Sequence, residues 1–142
     1  MTDLPDVNVW VALSYTNHLH RPQAKAYWGG ARANKIAFCG VTLTGMLRIL
    51  TQAAPMNGNP FSPAVAAQKA GDWLQMPEVS FISDSTGVSA RLSAWASEPF
   101  FTPKLWTDGW IAAIAMEHGC RVVSFDADFA KFPGLNFLQL TP

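Results

Sequence analysis

The chain has 142 residues, of which 49% are hydrophobic and only 14% charged. That balance suits one core-rich globular domain spanning 1–142 and excludes disorder. Ten Lys and Arg residues cancel ten Asp and Glu, so the bulk positive charge of a non-specific nucleic-acid binder is absent, and any such contact must come from a local site. The opening MTDLPDVNVW carries acids where a signal peptide needs bases, and no apolar run approaches a membrane span. The expectation is a cytoplasmic protein with no membrane contact.

In chain order, LPDVNVWVALS predicts a short buried strand running into a helix, with Asp6 at the joint. HRPQAKAYWGGARA predicts a helix opened by Pro22 and stopped at Gly29-Gly30, with Ala24, Tyr27 and Trp28 at helical spacing. IAFCGV is a second strand, and Thr42 or Thr44 is expected to cap the helix whose apolar stripe is Leu43, Met46, Leu47 and Leu50. The proline-rich stretch from Ala54 to Pro63 reads as a loop, after which Ser62 caps a helix beginning at Pro63. EVSFIS is a third strand. Asp84 or Ser85 opens a helix carrying Arg91, Leu92 and Trp95. KLWTDGWIAAIAMEHG is a helix ended by Gly119, CRVVSF a fourth strand, DADFAKF a turn or short helix, and LNFLQL a terminal strand. Short apolar strands alternating with helices predict an α/β/α sandwich around a central, mainly parallel sheet. The six tryptophans are expected mostly in the core. Cys39 and Cys120 lie beside apolar runs without metal-ligand spacing and read as buried reduced thiols.

In such a sheet the ligand site lies beyond the carboxyl ends of the strands. Asp6 ends the first strand, Asp126 and Asp128 follow the fourth, and Asp108 opens the helix leading into it. Ile111, Ala112 and Ala115 follow Asp108 at helical spacing, so its face is otherwise small and apolar, where an unpaired carboxylate is costly. Singly, each acid also has an ordinary reading as a helix cap or turn residue. Together, carboxylates converging without Lys or Arg are most easily reconciled around hard cations such as Mg²⁺ or Mn²⁺, and such clusters handle phosphate esters. The three histidines show no zinc-site spacing.

These segments resemble the PIN-domain family, and within it VapC-type toxins of a mycobacterial subgroup. DVNVWVAL is similar to the first-strand motif and puts Asp6 at a metal-ligand position, with Asn8 nearby. HRPQAKAYW, with His20, Ala24 and Trp28, is similar to the following helix, and VTLTGMLRIL to the third segment. TDGWIAAIAMEHG places Asp108 as a metal ligand, and VVSFDADF places Asp126, with Asp128 as an accessory. The resemblance implies an endoribonuclease in which Asp6, Asp108 and Asp126 bind Mg²⁺ or Mn²⁺ and hydrolyse RNA phosphodiesters, with transfer or ribosomal RNA among the targets. It implies a toxin neutralised by a VapB-like antitoxin whose C-terminal segment lies across the acidic site, and a homodimer.

One departure stands out. Many members carry a Glu on the third-segment helix, where this chain has Gly45. The alternative function is therefore a degenerate PIN fold that binds RNA or protein without cutting. A receiver or haloacid-dehalogenase reading fares worse: DVN lacks the second acid of the latter's nucleophile motif, and Asp3 with Asp6 makes a poor acidic pair for the former.

Overall fold

The computed structural model describes residues 1–142. Five short parallel strands form one sheet in the order β3-β2-β1-β4-β5: β1 Thr2–Pro5, β2 Lys35–Phe38, β3 Val79–Phe81, β4 Arg121–Ser124 and β5 Phe137–Gln139. Six helices connect them: α1 Val7–Ser14, α2 Arg21–Ala26, α3 Gly40–Leu50, α4 Pro63–Gln75, α5 Thr86–Ala96 and α6 Trp106–His118. No helix is long and apolar enough to cross a membrane.

Alternation along the strands divides the core into two layers. Ile36, Phe38 and Val123 face α1 to α4 and pack with Trp10, Met46, Leu50 and Ala66. Leu4, Ala37 and Val122 face α5 and α6 and pack with Leu92, Trp95, Ile111 and Ile114. Trp10 stacks on Phe38 with ring centroids 3.8 Å apart and meets Trp73 edge-on at 5.3 Å. Trp106 departs from the core expectation: at 51% exposure it lies at the start of α6, packed edge-on against Phe101. Both cysteines are buried and free.

Several element ends have visible causes. Ser62 accepts from the Val65 N–H at 3.2 Å and Pro63 opens α4, as expected. Gly119 closes α6 with φ 66°, a left-handed conformation that glycine adopts without a Cβ penalty. Two expectations fail. Gly29-Gly30 does not stop the second helical segment, which widens into a π turn over Tyr27–Ala31 and ends when the Arg32 N–H bonds to Tyr27 O at 3.0 Å. The Arg32 guanidinium then covers the Trp28 ring at 4.7 Å. Neither Thr42 nor Thr44 caps α3. Cys39 occupies that position, and Thr42, three residues on, reaches back to accept from the Cys39 N–H at 3.0 Å.

At the amino edge of the sheet, the wholly buried Asp3 binds Arg121 through two hydrogen bonds of 2.8 and 2.9 Å. It also accepts from Tyr27 Oη and the Ala33 N–H, both at 2.8 Å. This network ties β1, β4 and the π turn together, with every carboxylate oxygen partnered. Burial and the Asp3 carboxylate together push the Tyr27 phenol well above its ordinary range. Arg121→Ala would leave a buried carboxylate without its cation, and a loss of about 3 kcal/mol in urea unfolding is expected. A loss under 1 kcal/mol would mean the pair carries no such role.

Candidate active site

The chain runs outward from β1 to β2 and β3, then returns to place β4 on the other side of β1. The crevice of such a reversal lies at the carboxyl ends of β1 and β4. Asp6 stands there. Its N–H continues the ladder, donating to Val123 O at 2.8 Å, while its side chain caps α1 by accepting from the Val7 N–H at 2.7 Å. The other carboxylate oxygen accepts from the Ser124 hydroxyl at 2.7 Å. Ser124 Oγ in turn accepts from the Asn8 amide at 3.1 Å and from the Asp126 N–H at 2.9 Å. One buried hydroxyl thus joins the end of β1, the start of α1 and the loop after β4.

Asp126 caps a short 3₁₀ turn, Ala127–Lys131, by accepting from the Asp128 N–H at 2.9 Å. Both acids then face Asp108 in the first turn of α6. Carboxylate oxygens of Asp108, Asp126 and Asp128 lie within 4.8 Å of one another. Lys104 and Lys131 pair with Asp128 at 3.2 and 3.0 Å. Asp108 has no basic group within ion-pair distance and lies half-buried above Ile111, Ala112 and Ala115.

The electrostatics follow from this crowding. Burial first, then the carboxylates of Asp6, Asp126 and Asp128, raise Asp108 to about 7, with Lys104 pulling the other way. Asp6 is also raised, chiefly by burial, against the opposing bonds from Ser124 and Val7. Hydrogen bonds from Lys131 and Lys104 hold Asp128 below the ordinary carboxylate range. The donor set consists of hard oxygens, without sulfur or imidazole, and carries more negative charge than its lysines neutralise. It fits a hard divalent cation.

A family model described as PIN domain matches residues 4–135, nearly the whole chain. The chain belongs to the PIN-domain family. This PIN domain is 29% identical over 147 residues to Ribonuclease VapC41 of Mycobacterium tuberculosis, covering 96% of this chain and 97% of that one. It is 26% identical over 136 residues to Ribonuclease VapC37 of the same species, covering 94% of each. The fold is that of the M. tuberculosis toxin VapC20, described as cleaving the sarcin-ricin loop, with a TM-score of 0.72 at 15% identity and 99% of each chain covered. VapBC2 from Rickettsia felis, bound to a promoter DNA fragment, aligns with a TM-score of 0.67 at 13% identity, also covering 99% of each chain.

All four acids singled out in the sequence of this PIN domain reach one edge, but their grouping differs from the expectation. Asp128, anticipated as an accessory, stands in the close trio. Asp6 stands beside the trio, near enough for its charge to raise Asp108. The expectation of carboxylates without Lys or Arg partners is corrected at Asp128, because the turn before α6 and the 3₁₀ turn after β4 each bring a lysine to it. Sequence reasoning missed Ser124, whose strand-end hydroxyl looks ordinary until β1 and β4 are paired. Lys131 had a legible cue in its spacing of three from Asp128 on a helical turn; Lys104 had none.

Gly45 also gains a structural cause. A Cβ there would lie 2.5 Å from Cγ2 of Val7, so α3 packs onto the start of α1 at a distance only glycine allows. Val7 is β-branched and stiff at χ1, which leaves little room to yield. Gly45→Glu should therefore lose about 2 kcal/mol. Adding Val7→Ala should recover part of it, giving a double-mutant coupling of about 1 kcal/mol in urea unfolding; strictly additive losses would refute the clash.

The raised Asp108 pKa sets a second expectation. Between pH 3.8 and about 7 the folded chain holds the Asp108 proton more tightly than the unfolded chain does, so this group's contribution to stability falls as pH rises through that window. In metal-free protein, Asp108→Asn should raise Tm by about 3 °C at pH 8, roughly 1 kcal/mol after discounting for solvent screening, and change it little at pH 4. The proton also competes with a cation, so wild-type Mn²⁺ affinity should weaken by up to about tenfold per unit below pH 7. A pH-independent affinity between 5 and 8 would contradict the assignment.

Proposed function

We propose that this PIN domain is a divalent-metal-dependent endoribonuclease and the toxin of a toxin–antitoxin pair. The observation that carries the reading is the convergence of Asp108, Asp126 and Asp128, with Asp6 beside them, at the sheet's switch point. Near-full-length similarity to proteins named ribonucleases supports it.

Asp6, Asp108, Asp126 and Asp128 would hold Mg²⁺ or Mn²⁺. A bound cation of this kind supplies water activation at neutral pH and offsets charge developing on a phosphodiester. The chain's own residues prepare for it. Ser124 fixes the Asp6 carboxylate and, through the Asp126 N–H, sets the loop that turns Asp126 toward α6. With its pKa raised to about 7, Asp108 holds a proton more readily than an ordinary carboxylate, and binding of a cation would displace it. Lys104, 65% exposed, and Lys131, 42% exposed, keep Asp128 in place and lower the negative charge that an approaching RNA phosphate meets.

Structured RNAs such as transfer or ribosomal RNA are the substrates we infer. The partner is a VapB-like antitoxin whose C-terminal segment covers the acidic edge, in keeping with fold neighbours that are toxin–antitoxin complexes. A second copy of the chain is the other partner; Phe81 on the edge strand β3 and Val65 on α4 leave apolar side chains exposed for it.

The deciding experiment incubates total cellular RNA with antitoxin-free protein and Mg²⁺ or Mn²⁺. Wild type should produce discrete fragments, and both EDTA and Asp108→Ala should lower their yield at least a hundredfold. Sedimentation of the same preparation reads the dimer. A folded wild type that cuts nothing would replace the nuclease by a binding fold centred on Gly45.

A further inference from the structure

A groove of about 610 Å³ runs between α3 and α6 beside the acidic edge, a volume ordinary for a small-ligand site. On the α3 side, Gly40 and Gly45 present backbone without side chains, and Arg48 stands exposed among Thr44 and Ile49. Arg48 takes part in none of the chain's five ion pairs. On the α6 side, Trp110 lines the groove while also packing against the core, and its indole N–H donates to Asp84 at 3.3 Å. That bond and that packing orient the ring, and the Asp84 carboxylate lines the groove beside it. The groove adjoins the acidic centre at both walls, through Thr107 next to Asp108 and Val7 next to Asp6. Val7 and Ile49 also line a smaller hollow containing Asp6, Asn8 and His18.

A fixed aromatic ring and an unengaged guanidinium along one open trench suit a ligand with a flat π face joined to an anion. An apolar peptide would leave Arg48 without a partner. Resting on the ribonuclease reading, we infer that this groove receives one unpaired nucleotide next to the scissile bond, its base against Trp110 and its phosphate against Arg48. Base–aromatic stacking tolerates any base but requires it to be out of a duplex. The groove therefore selects unpaired RNA at the cut, and Trp110 and Arg48 are binding residues rather than members of the carboxylate centre.

The test measures anisotropy of a fluorescein-labelled short single-stranded RNA and of a hairpin stem of matched composition. The full chain carries Asp108→Asn to prevent cutting. Trp110→Leu should weaken single-strand binding about tenfold, and Trp110→Phe should stay within about threefold of the parent. Arg48→Ala should weaken binding and reduce the slope of log affinity against log salt by about 1. In the wild-type background, Trp110→Leu should leave Mn²⁺ affinity unchanged and raise KM for RNA more than it lowers kcat. A structural defect at α6 would instead disturb the metal affinity and would not be rescued by Phe. Equal binding of stem and single strand, or unchanged single-strand binding by Trp110→Leu, overturns the proposal and hands the groove to a protein segment; the ribonuclease reading survives if wild type still cuts. Failure of wild type to cut, together with no RNA binding by the Asp108→Asn protein, removes both.

Discussion

The pairing of β1 with β4 is the contact on which the molecule depends. Three residues of each strand lie in register, Asp3 with Arg121, Leu4 with Val122 and Pro5 with Val123. The same pairing resolves charge in opposite ways at its two ends. At the amino edge, a buried carboxylate meets a guanidinium, a phenol and a backbone N–H, and every oxygen is satisfied. At the carboxyl edge, Asp6 directly after β1 and Asp126 two residues after β4 open an acidic crevice whose charge the protein leaves only partly compensated. One edge is closed and the other stays charged.

That asymmetry explains why the carboxyl edge is built as it is. Acids brought together repel one another, so their positions must be enforced by groups that gain from the arrangement. Asp6 is held by the ladder, by capping α1 and by Ser124; Asp126 by capping the 3₁₀ turn; Asp128 by two lysines. Asp108 has only the first turn of α6 behind it, and burial with the neighbouring carboxylates raises it, as burial raises the more deeply buried Asp6. In a site of this kind the carboxylates repel one another, and a bound cation would offset that repulsion, so metal binding would be coupled to both stability and pH. The close approach of α3 to α1 at Gly45 fills with Val7 the space a side chain would need at the position where the family resemblance expects a Glu.

Much of this was written in the order of the residues. The strand-to-helix joint at Asp6 was legible because LPDVNVWVALS is a Val-rich apolar segment that reads as a strand running into a helix, with that acid between them. Ser62-Pro63 and Gly119 marked helix ends through local chemistry that tertiary packing had no reason to override. The four acids were legible as a set because parallel topology sends the carboxyl ends of the strands, and the start of the helix leading into β4, to one edge. Where local rules failed, long-range bonds had intervened. Gly29-Gly30 continued as a π turn because Arg32 and Ala33 are drawn toward Trp28 and Asp3. Thr42 lost the cap of α3 to Cys39, which the end of β2 delivers to that position.

The sequence by itself determined the alternation of strands and helices, the parallel sheet and the placing of its acids after β1 and β4 and at the start of α6, because these follow from periodicity, caps and turn residues within short windows. Only the tertiary structure decided which acids stand closest, which of them receive a lysine, that Ser124 joins Asp6 to Asp126, and that Val7 leaves room for nothing larger than glycine at position 45. Those facts join residues as far apart as Asp6 and Ser124. Such contacts depend on strand order and helix approach, which no local pattern encodes.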